Sequence, residues 1–123
     1  MKNEAEKRDL RGRTKKFGLR VVHVFTALDK RDAVQDVLGR QMLRSGTSVG
    51  AQYREGCRAR SNAEFISKVT SALQELDETA YWFELLVESE AIPSRKLKPL
   101  MEEAEELIKI FVASINTAKR NES

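Results

Sequence analysis

Apolar residues recur along the chain at three- and four-residue steps, the spacing that keeps side chains on one side of a helix. Phe17, Val21, Val24, Phe25 and Leu28 mark a first helix over about residues 15–29, with Thr14 as its N-cap. Gly18 weakens that helix by about 1 kcal/mol relative to alanine, which implies a neighbour that needs the space. Asp29-Lys30-Arg31-Asp32 is a polar break, and Asp32 is placed to cap a second helix over about 33–58. Its early stripe is Val34, Val37, Leu38 and Met42, and Asp36 stands four residues before Arg40, a favourable helical pair.

Ser61 with Glu64 three residues on reads as a capping box, followed at once by Phe65 and Ile66. The third helix, about 62–90, carries Phe65, Val69, Ala72, Leu76, Ala80, Phe83 and Val87 in phase. Tyr81, Trp82 and Leu85 spill off that stripe, so this helix is expected to meet a second protein surface as well as its own core. After Ala91-Ile92-Pro93-Ser94, a fourth helix over about 95–118 repeats the pattern through Leu97, Ala104, Ile108, Phe111, Ile115 and Ala118. Pro99 is close enough to its start to be tolerated. No segment reads as a strand. Four amphipathic helices joined by short breaks predict an all-α, antiparallel up-and-down four-helix bundle over residues 14–119. A polar basic leader (1–13) precedes it, and a tail (120–123) follows.

The middle of the second helix changes the picture. Gly39, Leu43, Gly46, Gly50, Tyr53 and Cys57 step by 4, 3, 4, 3 and 4, and so do Arg40, Arg44, Thr47, Ala51, Arg54 and Arg58. One side is slim and suits a close helical neighbour; another is an arginine stripe. A phosphate-cradling loop would need Lys-Ser/Thr after its last glycine, and Val49-Gly50-Ala51 stands there instead. A break at Ser45-Gly46-Thr47-Ser48 competes with a continuous helix; the unbroken phase from Gly39 to Cys57 favours continuity.

Charge divides the chain in two. Residues 1–60 hold 15 Lys/Arg and 7 Asp/Glu, a net of +8; residues 61–123 hold 7 and 12, a net of −5; the sum is the chain's +3. Such halves can match each other within one fold, or the basic half can serve polyanions. The single cysteine, Cys57, cannot form an intrachain disulfide, and neither a signal peptide nor a membrane-length apolar run is visible. A cytoplasmic protein with no membrane contact is expected.

Catalytic constellations are wanting. His23 is the sole histidine and has Arg20, not glutamate, three residues before it, so the Glu-x-x-His signature of di-iron bundles fails. Ser45, Thr47, Ser48 and Cys57 have no recognisable activating base. No enzyme, cofactor, catalytic residue or metal site is therefore expected. The arginines are the candidate site: Arg40, Arg44, Arg54, Arg58 and Arg60 for nucleic acid, in a salt-sensitive and sequence-tolerant mode. The alternative is that they pair with Glu75, Glu78 or a neighbouring subunit.

The run Arg44-Ser45-Gly46-Thr47-Ser48-Val49-Gly50-Ala51-Gln52-Tyr53-Arg54-Glu55 also resembles a known family. So do Ala59-Arg60-Ser61, Glu64-Phe65-Ile66-Ser67-Lys68, Glu78-Thr79-Ala80-Tyr81-Trp82 and Ala104-Glu105-Glu106-Leu107. Over about residues 9–119 the chain is similar to the bacterial four-helix bundle proteins first met as reading frames within intervening sequences of large-subunit ribosomal RNA genes. It departs at Gly18 and Gly56, where relatives often have alanine, and at Gln52, where asparagine is frequent. The resemblance implies a homo-oligomer, a ring-like pentamer, with Tyr81, Trp82 and Leu85 at the subunit interface. The similar accessory protein of diversity-generating retroelements implies RNA or DNA, and a reverse transcriptase-like protein, as partners. A non-enzymatic nucleic-acid-binding accessory protein is thus expected, with a protein-interaction scaffold as the alternative.

Overall fold

The computed structural model describes residues 4–122, which form four α-helices. They are α1 (Glu4–Thr26), α2 (Ala33–Cys57), α3 (Asn62–Glu88) and α4 (Ser94–Glu122). α2 packs most extensively on α3; α1 lies on α2 and α4 on α3, while α1 and α4 are the most loosely packed of the neighbouring pairs. Gly46 meets Val21 and Gly50 meets Thr14, so α1 and α2 run antiparallel. Ser45 meets Thr79 and Gly56 meets Val69, so α2 and α3 do as well. This is the expected four-helix bundle, and among the described residues there is no strand.

α2 and α3 start where their caps predict. Asp32 accepts from the Gln35 amide at 3.0 Å, and Ser61 Oγ accepts from the Glu64 amide at 3.1 Å. The reciprocal half of the capping box shifts by one residue: Glu64 accepts from the Arg60 amide rather than from Ser61. α3 closes through Glu90, whose φ of 64° is left-handed.

α1 starts eleven residues earlier than the apolar stripe suggests. Thr14 is no N-cap: it is buried inside the helix, and its hydroxyl donates to the Leu10 carbonyl at 2.8 Å. Leu10 joins the core, and Lys7 lies 5.0 Å above the Phe65 ring. Of the expected leader, residues 4–13 are helix; residues 1–3, and Ser123 of the expected tail, lie outside the described residues.

The core is a column of side chains from all four helices. Phe17 of α1 meets Phe83 of α3 edge to face at 6.3 Å, and Tyr53 of α2 stacks on Phe111 of α4 at 5.4 Å, one aromatic pair across each diagonal. α2 is continuous through its glycines, none of which has a positive φ. Its buried line, Gly39, Met42, Ser45, Gly46, Val49, Tyr53 and Gly56, runs between the two sequence stripes. Ser45 and Thr79 hydroxyls lie 2.8 Å apart at the centre of the α2–α3 contact, each also within reach of the carbonyl four residues behind it. Across the thin α1–α4 seam, Arg13 grips Glu103 through two hydrogen bonds of 2.8 and 2.9 Å. No described helix is long and apolar enough to cross a membrane.

Candidate nucleic-acid interface

Small residues bring α1 and α2 close, and their contact leaves a shallow outward groove. A Cβ added at Gly50 would meet the Thr14 backbone at 3.4 Å, and one at Gly18 would lie 3.8 Å from the Gly46 carbonyl oxygen. Gly18, Thr47, Gly50 and Ala51 floor the groove, whose volume is about 540 Å³. Arg11 and Lys15 rim it from α1, and Arg54 and Arg58 from α2, with Leu19 and Val22 toward its other end. Glu55 is the only acid in its wall, and it is held 2.7 Å from Lys68 of α3.

The expected arginine stripe divides between two settings. Arg40 stays with Asp36 at 2.9 Å, four residues back on its own helix. Arg44 crosses to α3, where it pairs with Glu78 and stands 3.4 Å from Glu75. The Trp82 indole donates to Glu78 at 3.0 Å, and that bond, followed by Arg44, holds the Glu78 carboxyl below the usual carboxylate range. Arg54, Arg58 and Arg60 are exposed, and none makes an ion pair within the described residues. Arg54 and Arg58 share the α1–α2 groove, whereas Arg60 belongs to a separate cavity at the end of the bundle. Spacing alone does not bring the α1 wall to this groove: Lys15, Gly18, Leu19 and Val22 fall within the expected first helix, but which side of α2 they face is a matter of packing, and Arg11 lies before the expected helix start. Its signal is nonetheless present: Arg11, Lys15, Gly18 and Val22 step by 4, 3 and 4.

Residues 6–113 match the sequence profile of the 23S rRNA-intervening sequence proteins. The chain belongs to that family. A solved member of the S23 ribosomal protein family from Bacteroides thetaiotaomicron, itself described as of unknown function, is similar at 34% identity with a TM-score of 0.83. The likeness covers 89% of this chain and 97% of that one. No curated protein matches the chain. The family fixes the bundle, and the chemistry of this member is to be argued from its surface.

That surface has a second feature, on the α2–α3 side. Val37 precedes Arg44 by two helical turns and Leu85 follows Glu78 by two, so the antiparallel Arg44–Glu78 pairing brings both to one face. Val37 is 57% exposed and Tyr81 53% exposed, with Val34 exposed nearby on α2 and Trp82 half-buried beside Tyr81. Of the three residues expected at a subunit interface, Tyr81 is thus exposed, and Trp82 and Leu85 are partly covered by the bundle itself. His23 is exposed, and among the described residues no group of His, Cys, Asp or Glu is placed to hold a metal ion. Burial pushes the Cys57 thiol up from its ordinary value, which keeps it protonated and unreactive at neutral pH.

Proposed function

We propose that this protein is a non-enzymatic accessory protein that binds the phosphate backbone of RNA or DNA along the α1–α2 groove. One observation carries the reading: Arg11, Lys15, Arg54 and Arg58 converge on a single groove and, among the described residues, none is spent on an internal ion pair. Guanidinium groups facing solvent across a concave wall suit phosphates, which they meet with paired hydrogen bonds. No aromatic ring lines the groove, so bases have nothing to stack on and binding is sequence-tolerant. Arg40 and Arg44 contribute less, because each already has a carboxylate.

The test is fluorescence anisotropy of a structured RNA hairpin titrated at several salt concentrations. Each phosphate contact adds about 0.7–0.9 to the slope of log affinity against log salt. Arg54→Ala with Arg58→Ala lowers that slope by about 1.5, whereas Arg40→Ala leaves it within about 0.5. A slope near zero, or one the double variant does not change, refutes the reading.

A second observation favours self-association. The exposed apolar side chains of Val34, Val37 and Tyr81, with the half-buried Leu85 beside them, support an oligomer, which the family resemblance would make a pentamer. Sedimentation velocity decides it: the native chain runs as a multiple of 14.0 kDa, and Tyr81→Lys with Val37→Lys returns it to one copy.

A further inference from the structure

At the end of the bundle where α2 stops and α3 begins, a cavity of about 260 Å³ opens between the helices. Lys7, Cys57, Arg60, Asn62, Phe65 and Ser114 are among its walls. Among the described residues no carboxylate lines it; Glu4 is near enough to bear on Cys57 but stands outside. Two cations therefore share the cavity, and Lys7 is held in place over the Phe65 ring. The first amides of α3 also face this end. Ser61 occupies the Glu64 amide and the Ser61 carbonyl that of Phe65, which leaves the Asn62 and Ala63 amides without a carbonyl one turn behind them.

The independent sign of a ligand is Ser114. Hydroxyls inside these helices commonly donate to the carbonyl four residues back, as Thr14, Ser45, Thr47, Ser48 and Ser71 do. Ser114 does not. It is 3% exposed, it forms part of the cavity wall, and its hydroxyl has no partner in the described protein. A buried hydroxyl that forgoes its own helix's carbonyl is a donor held for something else. Two cations, a helix N-terminus and a spare hydroxyl together suit a small, multiply charged oxyanion.

We propose that this cavity binds a phosphate monoester, either the terminal phosphate of a nucleic-acid strand or that of a free phosphorylated molecule. The volume of about 260 Å³ lies just below the usual range for ligand pockets, roughly 300–1,000 Å³, which suits a phosphate with part of its sugar rather than a whole dinucleotide. For the strand end, the inference rests on the nucleic-acid reading above; for the free molecule it does not.

The experiment compares two oligonucleotides of one sequence, 5′-phosphorylated and 5′-hydroxyl, by anisotropy, and ribose 5-phosphate against ribose by calorimetry. The phosphorylated strand is expected to bind at least fivefold tighter than its twin, and ribose 5-phosphate to bind where ribose does not. Ser114→Ala and Lys7→Ala each abolish both differences. Ser114→Ala folds, because alanine is the better helix former and the change removes an unpartnered hydroxyl. Should neither strand bind while ribose 5-phosphate binds in a Ser114-dependent way, the cavity holds a free phosphomonoester and the nucleic-acid reading falls. Should both strands bind alike and ribose 5-phosphate not bind, the groove stands and this inference is overturned. Phosphate binding that survives Ser114→Ala unchanged overturns it as well.

Discussion

Replacing Gly46 by alanine sets two known effects against each other at one atom. A methyl there would sit 2.9 Å from both γ-carbons of Val21 and 3.2 Å from its β-carbon. Val21 is fully buried, and a valine in a helix has one strongly preferred χ1, so its methyls cannot swing aside. Alanine gains about 1 kcal/mol over glycine in a helix interior. Overpacking a filled core costs about 1–3 kcal/mol. The crowding here involves two rigid methyls on a neighbouring helix, so the loss outweighs the gain, and Gly46→Ala is expected to destabilise by about 1–2 kcal/mol. Val21→Ala alone costs about 2 kcal/mol through lost burial and the space left behind. In that background both 2.9 Å contacts vanish, only the 3.2 Å contact to the β-carbon remains, and Gly46→Ala becomes neutral to stabilising by about 1 kcal/mol. Urea unfolding followed by circular dichroism measures the cycle, with an expected coupling of about 1–3 kcal/mol and unchanged m-values. A stabilising Gly46→Ala in the native background, or equal effects in both backgrounds, means that α1 and α2 do not approach through this pair.

Three further changes probe other parts of the fold. Gly12 is exposed in α1 with no atom within 4 Å of a would-be Cβ, so Gly12→Ala is expected to raise stability by about 0.5–1 kcal/mol; a neutral result means that α1 does not extend before residue 15. Glu90→Gly relieves the left-handed backbone at the end of α3 and is expected to raise the urea midpoint, worth about 0.5–1 kcal/mol; a lower midpoint means the turn has another conformation. The bidentate bond from Arg13 is the main reason the Glu103 carboxyl lies below its usual range. A lowered folded-state value stabilises above the unfolded carboxylate pKa, near 4.3, and that contribution fades as pH falls through the folded value. Glu103→Gln, at this partly exposed seam, should cost about 1 kcal/mol at pH 7 and progressively less as the pH falls through the lowered folded value; parallel stability curves for the two proteins would count against the latch.

The chain's helices were legible wherever an apolar stripe met a capping residue. Asp32 and Ser61 fix two starts because each combines a short oxygen-bearing side chain with a periodic run directly behind it. The first helix misled for the opposite reason. Thr14 has the chemistry of a cap, but the same hydroxyl satisfies itself equally well inside a helix, and Leu10 is a lone apolar residue among charges. Counting Thr14 as a core position recovers the phase, since Leu10, Thr14, Phe17 and Val21 step by 4, 3 and 4. The arginines were legible as a stripe on one helix, but the groove was not, because it depends on which faces of α1 and α2 meet, and its Arg11 lies in the overlooked part of α1. Spacing did not separate Arg44 from Arg54; the packed structure does, because Glu75 and Glu78 stand at matching height to Arg44 on α3, and no acid of α1 among the described residues lines the groove across from Arg54. Ser114 carried no signal at all. A serine in an apolar helix face is unremarkable until its hydroxyl is seen to lack a partner, which depends on a rotamer rather than on a spacing.

The absence of side chains at Gly18 and Gly50 has an effect beyond letting two helices touch. It makes the bottom of the groove main chain whose amides and carbonyls are already committed to their own helices, with only the methyl of Ala51 and the hydroxyl of Thr47 between. Thr47 is itself bonded to the Leu43 carbonyl at 2.7 Å. A strand lying there finds charge along both banks and almost nothing on the bed able to question a base edge. Mutations that fill the bed would lift a ligand away from the banks and weaken every sequence by the same factor.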